Sequence, residues 1–175
     1  ALRIKDAEYI KIDDDTTPYF QAGHAARVVC GGSEIGTMGK VDQAVLKNYG
    51  LKQDAYLFDL RVDGLLALMP DGIQAEPLPR FPSVSRDITV IVDKSVEVGA
   101  MIDTLRELTK KDTQVEKFYL FDAYEGESLP AEKKSLSYRV VYRSPNTTLT
   151  DKNVKKRHDK ISAGLIKAFG ADLPD

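Results

Sequence analysis

The hydrophobic pattern of residues 86–170 is the feature that most restricts the folds open to this chain. Residues 86–93 alternate between apolar and polar side chains, and this period of two predicts a half-buried strand. The apolar residues that follow recur at helical spacing, which predicts a helix with one apolar stripe. The strand contributes Ile88, Val90 and Val92, and the helix contributes Val98, Met101, Ile102, Leu105 and Leu108. We expect Ser95 to cap this helix.

The rest of this segment contains two more strands and a second helix. Strands are predicted over residues 115–124 and 135–143, joined by a loop that contains Gly126 and Pro130. Thr150 is a suitable N-cap for a helix that ends at Gly170 and turns Val154, Ile161, Leu165 and Phe169 toward the sheet. With a short closing strand near residues 171–173, this order is the split βαβ, or ferredoxin-like, pattern. Because each helix has a single apolar stripe, both helices cover one face of the sheet, and the other face stays open to a ligand.

A proline-rich segment separates this part from the residues before it. Residues 76–82 contain three prolines, which lack backbone donors and fix φ, as in an extended connection. We therefore divide the chain into a first unit over residues 1–76, a linker over residues 77–84 and a second domain over residues 85–175.

The first unit is predicted to be an antiparallel module that is incomplete by itself. Residues 25–30 and 33–39 read as a hairpin around the Gly31-Gly32 turn. A short helix capped by Asp42 and a long strand over residues 55–63 follow. One helix cannot cover such a sheet, so further strands or a neighbouring unit must complete it. The fold class is therefore α+β, with a partial antiparallel module followed by a ferredoxin-like domain.

Composition excludes several classes of function. With 25 basic and 27 acidic residues the net charge is -2, so any contact with RNA must be local. No stretch approaches the roughly 18 apolar residues of a spanning helix, and no signal peptide is visible, which predicts a cytoplasmic protein with no membrane partner. The single cysteine, Cys30, lies in an apolar run and is expected to be a buried, inert thiol. Residues 13–15 are consecutive aspartates without the spacing of a calcium loop, so we predict a solvated turn and assign no metal.

No catalytic centre is visible in the sequence. Neither histidine, His24 or His158, has a nucleophile motif beside it, and the helical offset of His158 favours semi-buried packing. The glycine-rich residues 31–36 precede a strand rather than a helix, which argues against a phosphate-binding loop. Asp59 and Asp63 read as polar positions of a strand and of the turn after it. We therefore assign no catalytic residue.

Polar and aromatic side chains on two strands form a candidate site for single-stranded nucleic acid. Asp122 and Tyr124 are two residues apart in a strand, so they point to one face. On the next strand the residues of one parity are Ser135, Ser137, Arg139 and Arg143. A ring can stack on a base, and carboxylates and hydroxyls can bond to its edge. Two other interpretations stay open, an ordinary strand ending in an amphipathic tyrosine and a solvated sheet surface.

Several motifs, in order along the chain, resemble the C-terminal region of the bacterial phenylalanyl-tRNA synthetase β subunit. PLPRFPSVSRDITVIVD resembles the entry and first strand of that family's ferredoxin-fold anticodon-binding domain. LFDAYEG resembles its second strand, KKSLSYRVVYRSPNTTLTD its third strand and second helix cap, and FGADL its closing segment. Upstream, GHAARVVCGGSEIGTMGKVDQAVLKNYGL resembles the end of the catalytic-like module, which has a class II synthetase fold without a working active site. The resemblance covers residues 18–173.

The resemblance implies a longer β subunit that works with a separate catalytic α subunit, two of each, to attach phenylalanine to its tRNA. ATP and magnesium would serve the whole enzyme in α, and no cofactor is expected in this chain. In the family, the residues that match Asp122, Tyr124 and Ser135 attend the first anticodon base, where guanine offers donors and acceptors. By parity alone, Ser137, Arg139 and Arg143 join this set, the arginines as backbone contacts. The alternative is a protein-interaction or regulatory ferredoxin-like module without RNA binding, which the near-neutral charge motivates.

Overall fold

The computed structural model describes residues 7–12, 16–70, 72 and 77–174. The chain forms two compact units, Ala1–Glu76 and Pro77–Asp175. The elements of the first unit are β1 (Glu8–Lys11), β2 (Phe20–Cys30), β3 (Ser33–Val41), α1 (Gln43–Asn48), β4 (Tyr56–Leu60) and α2 (Val62–Ala67). Those of the second are β5 (Val84–Asp93), α3 (Val98–Thr109), β6 (Val115–Tyr124), β7 (Lys133–Tyr142) and α4 (Asp151–Phe169). The aspartates of residues 13–15 lie outside the described residues.

The first unit is an antiparallel sheet in the order β1-β2-β3-β4. The β2–β3 hairpin closes at the predicted turn, where Gly31 and Gly32 have φ of 57° and 76°, a region that glycine occupies without steric cost. Asp42 caps α1, since its carboxylate accepts a hydrogen bond from the backbone N–H of Ala44 at 2.8 Å. Both local predictions are confirmed. Cys30 is a buried free thiol, as predicted.

The long strand predicted over residues 55–63 is wrong in its second half. β4 ends at Leu60, and Val62 begins α2, so that Asp63 lies in the first turn of a helix. This helix supplies Leu65 to a small core that contains Ile35 of β3. The alternation of apolar residues reports only on neighbouring positions, so it cannot predict that the chain turns here into a helix that packs on a distant strand.

The second unit is a three-stranded antiparallel sheet in the order β5-β7-β6, and a bridge between Ile91 and Asp172 adds the closing segment beside β5. Both helices pack on the same face of this sheet. The buried core contains Ile88, Val90 and Val92 of β5, Leu136, Tyr138, Val140 and Tyr142 of β7, and Met101, Leu105, Val154, Ile161 and Leu165 of the helices. The α+β class and the ferredoxin-like arrangement with one open face are therefore confirmed.

The helix ends of this unit agree only partly with the sequence. Thr150 caps α4, with its side chain accepting from the N–H of Asn153 at 3.4 Å, and Gly170 ends it at a φ of 57°. The Ser95 cap is wrong, because α3 begins at Val98 and Ser95 lies in the preceding turn. No helix in the described residues combines the length and apolar character needed to span a bilayer.

Candidate nucleic-acid interface

A β-bulge at Phe121 determines which side chains of β6 reach the open face of the sheet. Before the bulge Tyr119 pairs with Arg139, and after it Asp122 pairs with Ser137. Three steps along β6 therefore match two steps along β7, so the alternation of β6 shifts by one position. As a result, Tyr119 and Asp122 share the face that carries Arg139 and Ser137.

Four of the predicted site residues meet near one end of this face. Tyr124 pairs directly with Ser135, and Asp122 with Ser137. Directly opposite residues of an antiparallel pair have Cβ atoms about 4.5–5.5 Å apart, so a ring, a carboxylate and two hydroxyls form one patch. We call Asp122, Tyr124, Ser135 and Ser137 the open-face patch. Their roles remain predictions, whereas their common face follows from the strand register.

Two polar groups of the open-face patch are uncommitted. Among the residues that the structure describes, neither the exposed Asp122 carboxylate nor the Ser135 hydroxyl has a hydrogen-bond or ion-pair partner. Ser137 differs, because it is buried and its hydroxyl shares a hydrogen bond of 2.9 Å with that of Thr89 on β5. The patch thus offers one carboxylate and one hydroxyl to a ligand, above a hydroxyl pair that joins two strands.

The Tyr124 ring rests over Gly126. A Cβ atom added to Gly126 would lie 2.2 Å from the Tyr124 hydroxyl oxygen and 2.5 Å from Cζ, well inside van der Waals contact. The Ser128 hydroxyl donates to the same oxygen at 3.2 Å. Tyr124 is 45% exposed, so its resting position leaves ring surface available for a stacked base.

Arg139 is held between a carboxylate and an aromatic ring. Its Nε and Nη2 donate to the two carboxylate oxygens of Asp87 at 2.8 and 2.7 Å, and its guanidinium carbon lies 4.7 Å from the centroid of the Phe121 ring. The hydrogen bond from Arg139 lowers the pKa of Asp87, and that same bond raises the pKa of Arg139. A planar cation therefore lies over the Phe121 ring beside the open-face patch, with its charge balanced by Asp87.

Sequence reasoning did not include Phe121 or Asp87 among the candidate site residues. Phe121 is the bulge residue, and its position opposite Arg139 depends on the register between strands. Asp87 lies 52 positions from Arg139 in the sequence, and only the pairing of β5 with β7 brings them together. The break in the alternation of β6 at Asp122 is the one signal in the sequence that points to the bulge.

Arg143 lies outside the open-face patch. It follows β7, where its Nε donates to Glu116 at 2.9 Å and its Nη1 donates to the backbone carbonyl of Phe81 at 2.7 Å. These bonds tie the entry segment of the second unit to the sheet. A contact between Arg143 and RNA stays a prediction, and its present bonds favour a structural role.

The histidine inside this unit has a structural environment. His158 is half-buried, as predicted, with Nε2 3.1 Å from the backbone carbonyl of Asp87 and Nδ1 3.1 Å from the Tyr142 hydroxyl. A carbonyl only accepts, so Nε2 carries the hydrogen and the neutral ring accepts from Tyr142 at Nδ1. Burial lowers the pKa of His158.

The described ranges hold no group of three or more His, Cys, Asp or Glu residues that could bind a metal ion.

Comparison with known proteins matches each unit separately. Residues 79–174 match the family model described as ferredoxin-fold anticodon binding domain, and residues 1–62 match that of the phenylalanyl tRNA synthetase beta chain CLM domain. The phenylalanine–tRNA ligase beta subunit of Geobacillus kaustophilus is 42% identical over 151 residues, which are 86% of this chain and 18% of that protein. The same subunit of Desulfotalea psychrophila is 37% identical over 158 residues, 90% of this chain and 19% of that protein.

The phenylalanine–tRNA ligase beta subunit of Clostridium tetani extends the similarity to 98% of this chain, with 35% identity over 172 residues, which are 21% of that protein. The chain thus spans about a fifth of the length of the curated relatives it matches. None of these comparisons supports the alternative of a protein-interaction module without RNA binding.

Proposed function

Because this chain belongs to the family of ferredoxin-fold anticodon binding domains and is similar to phenylalanine–tRNA ligase beta subunits, we propose that it recognises the anticodon of phenylalanine tRNA as part of such a subunit. One observation carries this proposal. A half-exposed ring, an uncommitted carboxylate and an uncommitted hydroxyl share one patch of an open sheet face. These are the groups that can stack a flipped-out base and bond to its edge.

Each side chain of the open-face patch has a distinct role in this proposal. The Tyr124 ring stacks on the first anticodon base, a guanine. The Asp122 carboxylate only accepts hydrogen bonds at neutral pH, so it selects the donor groups of the guanine edge. The Ser135 hydroxyl can donate to the guanine O6. Adenine offers an acceptor where guanine offers a donor, so the carboxylate would repel it.

Two neighbours support the patch. Ser137 holds the strands together through Thr89. Arg139, which Asp87 holds near the Phe121 ring, contacts the sugar-phosphate backbone of the anticodon loop. Arg143 contributes less to backbone binding in this proposal, since Glu116 and Phe81 already engage its guanidinium.

We place the chemistry of the whole enzyme outside this chain. A separate α subunit would use ATP and magnesium to attach phenylalanine, in an assembly of two α and two β subunits in the cytoplasm. The first unit would belong to a non-catalytic module of class II synthetase type. The match of residues 1–62 to a synthetase beta-chain model supports this last assignment.

Equilibrium binding of the chain to phenylalanine tRNA tests the stacking role. Loss of one base stack costs about 1–3 kcal/mol, so Tyr124→Ala should raise Kd about 5- to 150-fold. Tyr56→Ala is the matched control, because this tyrosine is 75% exposed but lies in the first unit. A Tyr124→Ala variant that binds within about twofold of the unchanged protein contradicts the proposal.

Base selectivity tests the role of Asp122. The unchanged protein should prefer tRNA with guanine over adenine at the first anticodon position. Asp122→Asn replaces an acceptor-only group by an amide that both donates and accepts, so this preference should shrink while the stack on Tyr124 persists. Equal preference in Asp122→Asn and the unchanged protein would assign the selectivity to another group.

A further inference from the structure

A basic groove lies on the helix-covered side of the second unit. It is formed by the C-terminal end of α3 and the first half of α4 and encloses about 550 Å³. Its charged lining residues are Lys111, Asp112, Lys156, Arg157 and Lys160, which we call the basic groove. Leu108 and Ile161 form an apolar part of its wall. None of these residues belongs to the open-face patch.

The charge of the basic groove is not balanced locally. Arg157 occupies the single carboxylate of the lining, with its Nη1 2.7 Å from both oxygens of Asp112. Lys111, Lys156 and Lys160 have no ion-pair or hydrogen-bond partner within the described part of the chain. Four cations and one carboxylate leave a formal charge of +3 in the groove, whereas the chain as a whole carries -2. A concave site of one sign focuses its field on a ligand of opposite charge.

Lysines next to the groove on the same two helices do have partners. Lys110 lies 3.3 Å from Glu107, and Lys155 lies 3.6 Å from Asp159. Among the described residues, Lys152 and Lys167 of α4 also have no such partner, but only the groove brings three unpaired lysines into one cavity.

The shape and position of the groove favour an extended polyanion. Lys156 and Lys160 are one helical turn apart on α4, about 6 Å along its axis, and Lys111 faces them from the end of α3. Asp112 marks the end of the groove next to β6, because its backbone carbonyl accepts a hydrogen bond from the N–H of Val115, the first residue of β6. Val115 and Tyr124 pair with Tyr142 and Ser135, which are seven residues apart on β7, so they are separated by about 23 Å at 3.3 Å per residue. A ligand of the groove therefore cannot be the nucleotide that Tyr124 stacks.

We propose that the basic groove binds backbone phosphates of RNA, in a segment away from the bases read on the open face. This inference rests on the proposed function, in which the ligand of the second unit is phenylalanine tRNA. The groove also accounts for the binding of a polyanion by this unit despite the charge of its open face. On that face Asp87 neutralises Arg139, and Asp122 adds a negative charge. The groove provides the sequence-independent attraction, and the open-face patch provides the selectivity.

The salt dependence of binding to phenylalanine tRNA separates the two sites. Each lost phosphate contact lowers the slope of log K against log salt concentration by about 0.7–0.9. The double variant Lys156→Ala/Lys160→Ala should therefore bind more weakly at low salt, with a slope smaller by about 1.4–1.8. Its preference for guanine at the first anticodon position should not change.

The matched control is Lys110→Ala/Lys155→Ala, which removes the same charge from the same helices outside the groove. It should keep the slope of the unchanged protein. Tyr124→Ala should lower affinity at every salt concentration without changing the slope, because stacking releases no counterions.

The two proposals can fail separately. An unchanged slope in Lys156→Ala/Lys160→Ala overturns the groove site, whatever Tyr124→Ala does. Equal losses of slope in the groove variant and its control also overturn it, because they would reflect net charge alone. A reduced slope confined to the groove variant, together with an inert Tyr124→Ala, would support the groove and contradict the open-face patch. Thermal unfolding of each variant checks that these surface substitutions leave the fold intact.

Discussion

Gly126→Ala should weaken tRNA binding by displacing the Tyr124 ring without changing a charge or a hydrogen-bonding group. The added Cβ would lie 2.2 Å from the Tyr124 hydroxyl oxygen, whereas ordinary van der Waals contact begins at 3.4 Å. The end of the ring must therefore move away from the glycine by at least about 1.2 Å, which changes the position of the surface that we propose stacks on a base. Because the obstructed atom is the far end of an exposed side chain, the fold should tolerate this shift.

The magnitude follows from the part of the stack that is lost. Complete loss of one base stack is worth about 1–3 kcal/mol, which sets the upper limit for Gly126→Ala. We expect a rise in Kd of about 3- to 30-fold, smaller than that of Tyr124→Ala, with no change in the salt slope. Titration of labelled phenylalanine tRNA with each variant measures both quantities. Gly99→Ala is the matched control, because no atom lies within 4 Å of a Cβ at that position.

A double-mutant cycle shows whether the glycine acts through the ring. In the Tyr124→Ala background the obstruction is absent, so Gly126→Ala should add no further loss of affinity. Additive losses in the cycle would mean that Gly126 contributes by another route, such as the conformation of the β6–β7 loop. Wild-type affinity in Gly126→Ala, combined with a large loss in Tyr124→Ala, would refute the inference that the observed ring position is the binding position.

Two further predictions concern the core beneath the open face. In the described residues the buried Tyr138 hydroxyl has no hydrogen-bond partner, whereas the Tyr142 hydroxyl bonds to His158. Tyr138→Phe should therefore raise the free energy of unfolding by about 1 kcal/mol, and Tyr142→Phe should lower it by about as much. Urea denaturation of both variants measures these changes. Effects of the same sign would contradict this assignment. Burial lowers the pKa of His158, so the unfolded state binds more protons below about pH 6.5, and the free energy of unfolding should fall between about pH 7.5 and pH 5.5. His158→Gln should make this decrease smaller, whereas the control His24→Gln, at an exposed position, should leave it unchanged. Equal pH dependence of the free energy of unfolding in both variants and the unchanged protein would contradict the role of His158.

The parts of the fold that the sequence predicts are those determined by local chemistry. The caps at Asp42 and Thr150 and the left-handed stop at Gly170 depend on one side chain and its adjacent backbone, and all three occur in the structure. The core-facing residues of β5 and α4 follow from periods of two and 3.6, which survive folding because only one face of each element is buried. The ferredoxin-like order of strands and helices in the second unit therefore follows from the hydrophobic pattern alone.

The errors occur where tertiary contacts override local preference. Ser95 has the chemistry of an N-cap, yet the chain continues through the turn that follows β5 before α3 begins at Val98. The strand predicted to residue 63 instead turns at Arg61 into α2, which covers Ile35. In both cases the position where the helix begins depends on which part of the sheet the helix packs against, and residues distant in sequence determine that packing.

The bulge at Phe121 shows why the candidate site was only half predictable. Phe118 and Leu120 face the core opposite Val140 and Tyr138, so strict alternation would turn Asp122 inward as well. The bulge at Phe121 shifts the alternation by one residue at this point. Ala123 takes the position opposite Leu136, where it is exposed, and Asp122 lies opposite Ser137 on the open face. The bulge thus places Asp122 on the face where we propose that it contacts a base, so the break in the pattern and the candidate site coincide.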